Sequence, residues 1–247
     1  MINLEELNLF LLVQGFDSPY VDGIQLYDKF LIHMTQLKKF TFNIKTISYN
    51  DNVSVEFPSN GIIQCSFIER CYQQVAPYVY TRSMKTTNEC HIYSLPYDFE
   101  YFINLNNCFQ GGTFHKVRYL KMSDEYPFEY KLFQLISQDF PCLQFLYIHN
   151  HCRQLNKEDL STLIAFPCLT FLDLLEADDD YAKLFLLKKK MCLPRLLNLC
   201  IKYECLKRIT NNFTDDATHF NFGILKSLDT WPAPDRAENL RQYFSFL

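Results

Sequence analysis

The residues with the clearest potential for chemistry are a short run of zinc-type ligands. His149, His151 and Cys152 lie in a stretch of four residues, and the two histidines would share one face of an extended strand. Imidazole and thiolate groups are zinc ligands. The spacing identifies no fourth ligand, and Cys90-His91 can only be guessed at. The simpler interpretation is a strand end that enters a polar loop, so we predict no metal site and no cofactor.

Catalytic motifs are equally scarce. The sequence contains no H-E-x-x-H, no G-x-S-x-G and no phosphate-binding loop, since no Lys-Ser/Thr follows Gly111-Gly112. Ten cysteines and six histidines could form a Cys–His pair by chance in any fold, and such a pair needs a placed base and an orienting group. We therefore expect no catalytic residues and no enzyme, with a Cys-dependent hydrolase as a remote alternative.

A leucine pattern of the form L-x-x-L-x-L organises the chain. Its copies begin at Leu4, Leu37, Val117, Leu143, Leu169 and Leu196, and a partial copy begins at Leu225. From Val117 onward the steps are 26, 26, 27 and 29 residues. This period is typical of a leucine-rich-repeat solenoid, in which each unit is a strand followed by a returning helix. A single unit cannot bury its apolar face alone, whereas stacked units form a continuous core.

The segments between the leucine blocks indicate how each unit returns. Helices are predicted over residues 126–140, 157–166 and 181–187, the last beginning after Asp178 and its two acidic neighbours. Three of these segments end in the motif apolar-Pro-x-Leu, as in Phe140-Pro141-Cys142-Leu143. The proline would stop the helix and turn the chain into the next strand.

We predict a single α/β domain over residues 1–247, a curved solenoid with parallel strands on its inner face and helices outside. Residues 1–42 would form N-terminal repeats. Residues 43–116 would be an irregular insertion or degenerate repeats, containing a helix at 62–74 and a hairpin of strands 78–81 and 90–95. In that hairpin the second strand would continue the main sheet, and a helix would run from Pro96 through Ile103. Residues 117–247 would form regular repeats with a capping helix over 237–247.

The repeats resemble those of F-box/leucine-rich-repeat proteins. The resemblance lies in two stretches, Phe140-Pro-Cys-Leu-Gln-Phe-Leu-Tyr-Ile148 and Phe166-Pro-Cys-Leu-Thr-Phe-Leu-Asp-Leu174. It implies recognition of a substrate protein by an adaptor of a ubiquitin ligase, with the ligase core as a further partner. No F-box is readable, so we expect either a fragment or a divergent member without this docking domain. The alternative is a stand-alone interaction scaffold unrelated to ubiquitin.

Composition limits the other partners and the location. The net charge of −4 disfavours nucleic acid as a partner. The sequence contains no run of 18 apolar residues, so we predict no membrane span. The first residues lack the basic region of a signal peptide. We therefore expect a cytoplasmic or nuclear protein that is not secreted, with cysteines that are free thiols.

The inner face is predicted from positions 3, 5 and 7 of each repeat, which point away from the core. The exposed residues would be Lys39, Thr41, Asn43, Tyr119, Lys121, Ser123, Phe145, Tyr147, His149, Phe171, Asp173, Asn198, Cys200 and Lys202. Aromatic residues among charged ones resemble interface hot spots. We assign partner binding to Tyr119, Lys121, Phe145, Tyr147, His149, Phe171 and Asp173. Alternatively, the aromatic side chains simply pack on one another or under another segment.

Overall fold

A computed structural model describes residues 4–15, 20–49, 58–68, 74–81, 87–155, 162–233 and 238–244. The chain has a mixed α/β structure with parallel strands, and it divides into two compact units, Met1–Asp98 and Phe99–Leu247. We call these the N-terminal unit and the C-terminal unit. The prediction of a single domain over residues 1–247 stays a prediction.

The N-terminal unit is built on a four-stranded sheet. Its elements are β1 (Glu6–Gly15), α1 (Gly23–Lys29), a 3-10 turn (Leu31–His33), β2 (Lys39–Tyr49), α2 (Asn60–Ile68), β3 (Val75–Thr81) and β4 (Thr87–Ser94). The strand order is β1-β2-β4-β3, in which β1 and β2 are parallel and the other pairs are antiparallel. Phe42 and Ile44 of β2 pack with Ile63 and Phe67 of α2 in an apolar core.

Three predictions for this unit can be compared with the structure. The hairpin is confirmed, since β3 and β4 pair in antiparallel fashion, but β4 also pairs with β2 and does not continue the parallel sheet of the C-terminal unit. The helix predicted at 62–74 is α2 in part, and residues 69–73 lie outside the described residues. The predicted exposure of Thr41 and Asn43 is wrong, because both faces of β2 are buried.

The C-terminal unit is built on six parallel strands. Its elements are β5 (Tyr101–Leu105), β6 (Tyr119–Ser123), α3 (Tyr130–Asp139), β7 (Phe145–His149), β8 (Ile164–Ala165), β9 (Phe171–Asp173), α4 (Asp179–Leu186), β10 (Met191–Cys192), β11 (Asn198–Lys202), α5 (Tyr203–Ile209), a 3-10 turn (Ala217–His219), β12 (Ser227–Trp231) and α6 (Glu238–Tyr243). The sheet order β5-β6-β7-β9-β11-β12 follows the chain, and every pair is parallel. The short strands β8 and β10 form a separate parallel pair.

One turn geometry recurs at the entry to five of these strands. The backbone N–H of Leu143 donates to the carbonyl oxygen of Phe140 at 3.1 Å, and the same three-residue bond joins the pairs 117/114, 169/166, 196/193 and 225/222. The predicted apolar-Pro-x-Leu turns into the next strand are therefore confirmed. The predicted helix end is confirmed only before Pro141, since Pro167 and Pro194 follow the short strands β8 and β10. The turns at 114–117 and 222–225 lack the proline, so the buried apolar residue at the first position is the shared feature.

The same repetition produces the core. Register places Phe102, Leu120, Leu146, Leu172 and Leu199 in one row across the sheet, and each is at most 1% exposed. The helices contribute rings to the interior, where the centroids of Phe133 (α3) and Phe185 (α4) lie 5.1 Å apart. This stacking of strand on strand and helix on helix buries an apolar face that no single unit could cover.

Three helix predictions are confirmed over part of their length. α3 and α4 confirm the helices at 126–140 and 181–187, and the Asp178 side chain accepts the N–H of Asp180 as an N-cap. α6 confirms the helix predicted at 237–247, within the described residues 238–244.

Two other helix predictions were wrong. The helix at 157–166 does not extend to its predicted end, because Ile164–Ala165 is a strand, and residues 156–161 lie outside the described residues. The helix from Pro96 through Ile103 is also wrong, since Tyr101–Leu105 is β5. Among the residues the structure describes, no helix has the length and apolar character needed to cross a membrane.

Candidate functional site

One face of the six-stranded sheet carries a row of aromatic rings. Because the strands are parallel and in register, Tyr101, Tyr119, Phe145 and Phe171 occupy equivalent positions on four neighbouring strands. Ring centroids lie 4.5 Å apart for Tyr101–Tyr119 and 4.2 Å apart for Tyr119–Phe145, with interplanar angles of 13° and 7°. Phe145 and Phe171 continue the row at 5.9 Å.

The adjacent row on the same face is mostly polar. It consists of Lys121, Tyr147, Asp173, Cys200 and Asp229, again in register from strand to strand. Tyr147 contacts the first row through Phe171, at a centroid distance of 5.2 Å. We call Tyr101, Tyr119, Phe145, Tyr147 and Phe171 the aromatic cluster.

Carboxylates next to the aromatic cluster, together with burial, raise the pKa of two neighbouring side chains. Burial, and then the nearby carboxylate of Asp173, raises the pKa of the Tyr147 hydroxyl. Burial, followed by Asp173 and Asp229, raises the pKa of the Cys200 thiol to about 12, and its Sγ lies 3.7 Å from Asp229 Oδ2. Both groups are therefore neutral at pH 7, and the charged side chains of this row are Lys121, Asp173 and Asp229.

The structure brings all seven residues assigned to partner binding onto this face. Lys121 and His149 are exposed, and the other five are half-buried. The seven residues are Tyr119, Lys121, Phe145, Tyr147, His149, Phe171 and Asp173. The aromatic rings contact one another, which was the alternative interpretation of these side chains, and they also retain exposed surface. Their assignment to partner binding stays a prediction.

Sequence reasoning missed two large side chains on the same face. Tyr101 is 49% exposed and begins the aromatic row, but its strand was predicted as a helix. Trp231 is 71% exposed and pairs in register with Lys202. Continuing the strand alternation from Leu228 would have placed Asp229 and Trp231 on the outward face.

Four of the described thiols are shifted away from the reactive thiolate form. The pKa is raised for Cys90, Cys108, Cys200 and Cys205, with burial as the first cause in each case. A nucleophilic cysteine needs the opposite shift, because the thiolate is the reactive form. The remaining chemically capable group in the described part of the chain is a trio that could hold a metal ion, formed by His149, His151 and Glu176.

Comparison with known proteins adds no assignment to this geometry. No family model, no curated protein and no solved structure matches the chain.

Proposed function

We propose that this chain is a protein-recognition module of the leucine-rich-repeat type, which binds its partner through the sheet face bearing the aromatic cluster. The observation that carries the proposal is the in-register row of partly exposed rings on four consecutive parallel strands. A repeated strand array commonly serves as an extended binding surface.

The repeat geometry supports a solenoid of stacked units in the C-terminal unit. Each of the strands β5, β6, β7, β9 and β11 pairs with the next one in the sheet, and the turns that enter β6, β7, β9, β11 and β12 share one hydrogen bond. Carbonyl oxygens at equivalent positions also accept two successive N–H groups from the next unit, as Arg118 does from Gln144 and Phe145 at 2.9 Å. Repeated local solutions of this kind are what the leucine spacing predicts.

The aromatic cluster is suited to binding because its rings are already ordered. Tyr119 lies between Tyr101 and Phe145, so its rotamer is fixed before any partner arrives. Binding then loses little side-chain entropy, a cost that reaches about 0.5–1.5 kcal/mol for each side chain that becomes immobilised. Tyrosine and tryptophan are also the residue types most enriched at interface hot spots.

The charges around the cluster indicate what the partner surface offers. Lys121 is exposed beside Tyr147, while Asp173 and Asp229 lie on the strands beyond it. A complementary partner surface would carry an apolar or aromatic patch to cover the rings. It would place a basic group beside Asp173 and Asp229 and an acidic group beside Lys121. Such a rim sets specificity and association rate more than affinity.

By resemblance, the proposed role of this face is substrate recognition in a ubiquitin-ligase setting. The distinguishing experiment is affinity capture from cytosolic extract, read by mass spectrometry. The wild-type chain is compared with the triple variant Phe145→Ala, Tyr147→Ala, Phe171→Ala. Losing one hot spot costs about 2 kcal/mol, or about 30-fold in affinity, so we expect the triple variant to lose its specific partners.

The matched control removes exposed apolar surface elsewhere. Phe30→Ala, Ile62→Ala and Leu163→Ala alter side chains that are 59%, 60% and 53% exposed and that do not belong to the strands of this face. The control should retain every partner. Ligase-core subunits among the retained proteins favour the adaptor role, whereas other partners lost only in the triple variant favour a stand-alone scaffold. Equal capture by all three proteins refutes the proposed site.

A further inference from the structure

His149 and His151 project from one side of the chain at the end of β7. They flank Asn150, which is 1% exposed and points inward, so the extended backbone directs both imidazoles outward. The ring centroids lie 5.4 Å apart. Two imidazoles at this separation are common partners on one metal ion, but two ligands alone make a weak site.

The neighbouring repeat supplies a third ligand. Asn150 forms an isolated parallel bridge with Ala177, in which its N–H donates to the carbonyl oxygen of Glu176 at 2.9 Å and its own carbonyl accepts the N–H of Asp178 at 2.9 Å. Ala177 is buried, so Glu176, its chain neighbour, faces outward beside the histidines. The backbone register between two repeats therefore fixes the relative positions of the three ligands.

The inward side of Asn150 holds this arrangement rigidly. Its Nδ2 donates to the carbonyl oxygen of Tyr126 at 2.7 Å, and its Oδ1 accepts the N–H of Cys152 at 2.8 Å. The Cys152 thiol donates to the carbonyl oxygen of Glu125 and so does not face the histidines as a ligand. These bonds orient the backbone that carries the ligands, in the way that outer-shell groups support metal sites.

The ligand atoms are close to the distances that a metal ion requires. One ligand atom from each of His149, His151 and Glu176 lies within 4.8 Å of the other two, and His151 Nε2 is 3.4 Å from Glu176 Oε2. Bonds of about 2.1 Å in a tetrahedral site separate the ligand atoms by about 3.4 Å. One pair already has this separation. Side-chain rotation can bring in the third atom, because all three residues are exposed.

We propose that His149, His151 and Glu176 form a binding site for a divalent transition-metal ion of the zinc class. Two imidazoles and one carboxylate suit Zn²⁺ or Cu²⁺, whereas Mg²⁺ and Ca²⁺ prefer a set of oxygen ligands. Three protein ligands leave a fourth position to water or to another molecule. The proposal is independent of partner recognition by the aromatic cluster, although His149 belongs to the same sheet face.

The test uses the full chain and Co²⁺ as a spectroscopic substitute for Zn²⁺. Visible d–d absorption reports tetrahedral coordination, and the near-ultraviolet thiolate band reports cysteine ligation. We expect one Co²⁺ per chain, displaced by Zn²⁺, without a thiolate band. His149→Ala, His151→Ala and Glu176→Gln should each weaken binding by at least about 100-fold. His115→Ala, which removes an exposed histidine elsewhere, should bind as the wild type does.

A second measurement needs no variant and so does not depend on a variant's folding. Substoichiometric Cu²⁺ should broaden the NMR signals of residues 148–152 and 175–178 in the wild-type chain before any others. Binding that persists in all three ligand variants overturns the proposal. The same conclusion follows from equal loss in His115→Ala, a dominant thiolate band, broadening centred elsewhere, or no Co²⁺ binding at all.

Discussion

A histidine in the N-terminal unit should make folding strongly dependent on pH. His91 lies on β4, 2% exposed, within a buried chain of hydrogen bonds. Asn43 Nδ2 donates to the Tyr97 hydroxyl at 2.6 Å, so Asn43 Oδ1 faces His91 Nε2 as an acceptor. His91 Nε2 therefore carries the proton, and Nδ1 accepts from the Tyr78 hydroxyl at 2.9 Å. The neutral imidazole has both nitrogens bonded.

Protonating this ring is costly. Burial, and then the positive charge of Lys45, lowers the pKa of His91 from 6.5 to about 3. Between these two values the unfolded chain binds a proton that the folded chain does not, so stability must fall as the pH falls. The contribution of His91 is fully present above pH 6.5 and is lost progressively toward pH 3.

The size of the effect follows from the width of this window. Each pH unit inside it changes the free energy of unfolding by about 1.4 kcal/mol. Going from pH 7.5 to 4.5 crosses about two units of the window, so His91 alone should remove about 3 kcal/mol. That is a large part of the roughly 5–15 kcal/mol by which folded proteins are stable.

The assay is urea unfolding from pH 7.5 to 4.5, followed by circular dichroism. Hydrogen exchange of peptides covering β4 assigns the transition to the N-terminal unit. Tryptophan fluorescence would not do so, because the single tryptophan, Trp231, belongs to the other unit. His91→Gln keeps a donor and an acceptor but cannot titrate. It should start less stable at pH 7.5 and lose about 3 kcal/mol less than the wild type on acidification.

His115→Gln controls for the loss of a histidine and should follow the wild-type curve, because this side chain is exposed. Parallel pH profiles for the wild type and His91→Gln would refute the reasoning. So would an NMR titration in which His91 gains its proton near pH 6.5, because the ring would then be solvated or charged in the folded chain.

Three further predictions concern stability and can be measured by urea unfolding at pH 7. Glu89→Gln should cost about 3–5 kcal/mol, because it leaves the buried ammonium of Lys45, 2.6 Å away, without its counter-charge. Glu5→Gln, in an exposed ion pair, should cost less than about 1 kcal/mol, and equal costs would contradict the burial argument. Leu172→Ala, at a fully buried position of the strand row, should cost about 2–5 kcal/mol, and a cost below about 1 kcal/mol would place Leu172 outside the core. Asp178→Ala should cost about 1 kcal/mol and Asp178→Asn much less; similar losses would show that the cap is not the cause.

The C-terminal unit was largely predictable because its signals are local. Leu146 and Ile148 alternate with outward residues within β7, and the preceding turn, which ends at Leu143, is formed by residues next to them in sequence. β5 was not predicted as a strand because it lacks this regular alternation. Asn104, with a φ of 59°, lies where the register of β5 on β6 shifts. The outward position of Tyr101 was lost with it.

In the N-terminal unit, the burial of polar residues depends on contacts that are distant in sequence. Thr41 and Asn43 alternate with Phe40 and Phe42 like exposed residues, yet both are buried. Asn43 finds its partners at His91 and Tyr97, 48 and 54 residues away, and no local pattern announces bonds over that separation. A polar side chain can be buried when hydrogen-bond partners are available, and here folding brings those partners together.

The proposed metal site of His149, His151 and Glu176 was likewise predictable only in part from the sequence. Sequence alone predicts that His149 and His151 share one side of an extended strand, since alternation is a property of the backbone. It could not identify Glu176, which reaches them only because the bridge between Asn150 and Ala177 aligns two repeats. Periodic burial is encoded in neighbouring residues, whereas a site assembled across repeats depends on the register between them, which forms only when the chain is folded.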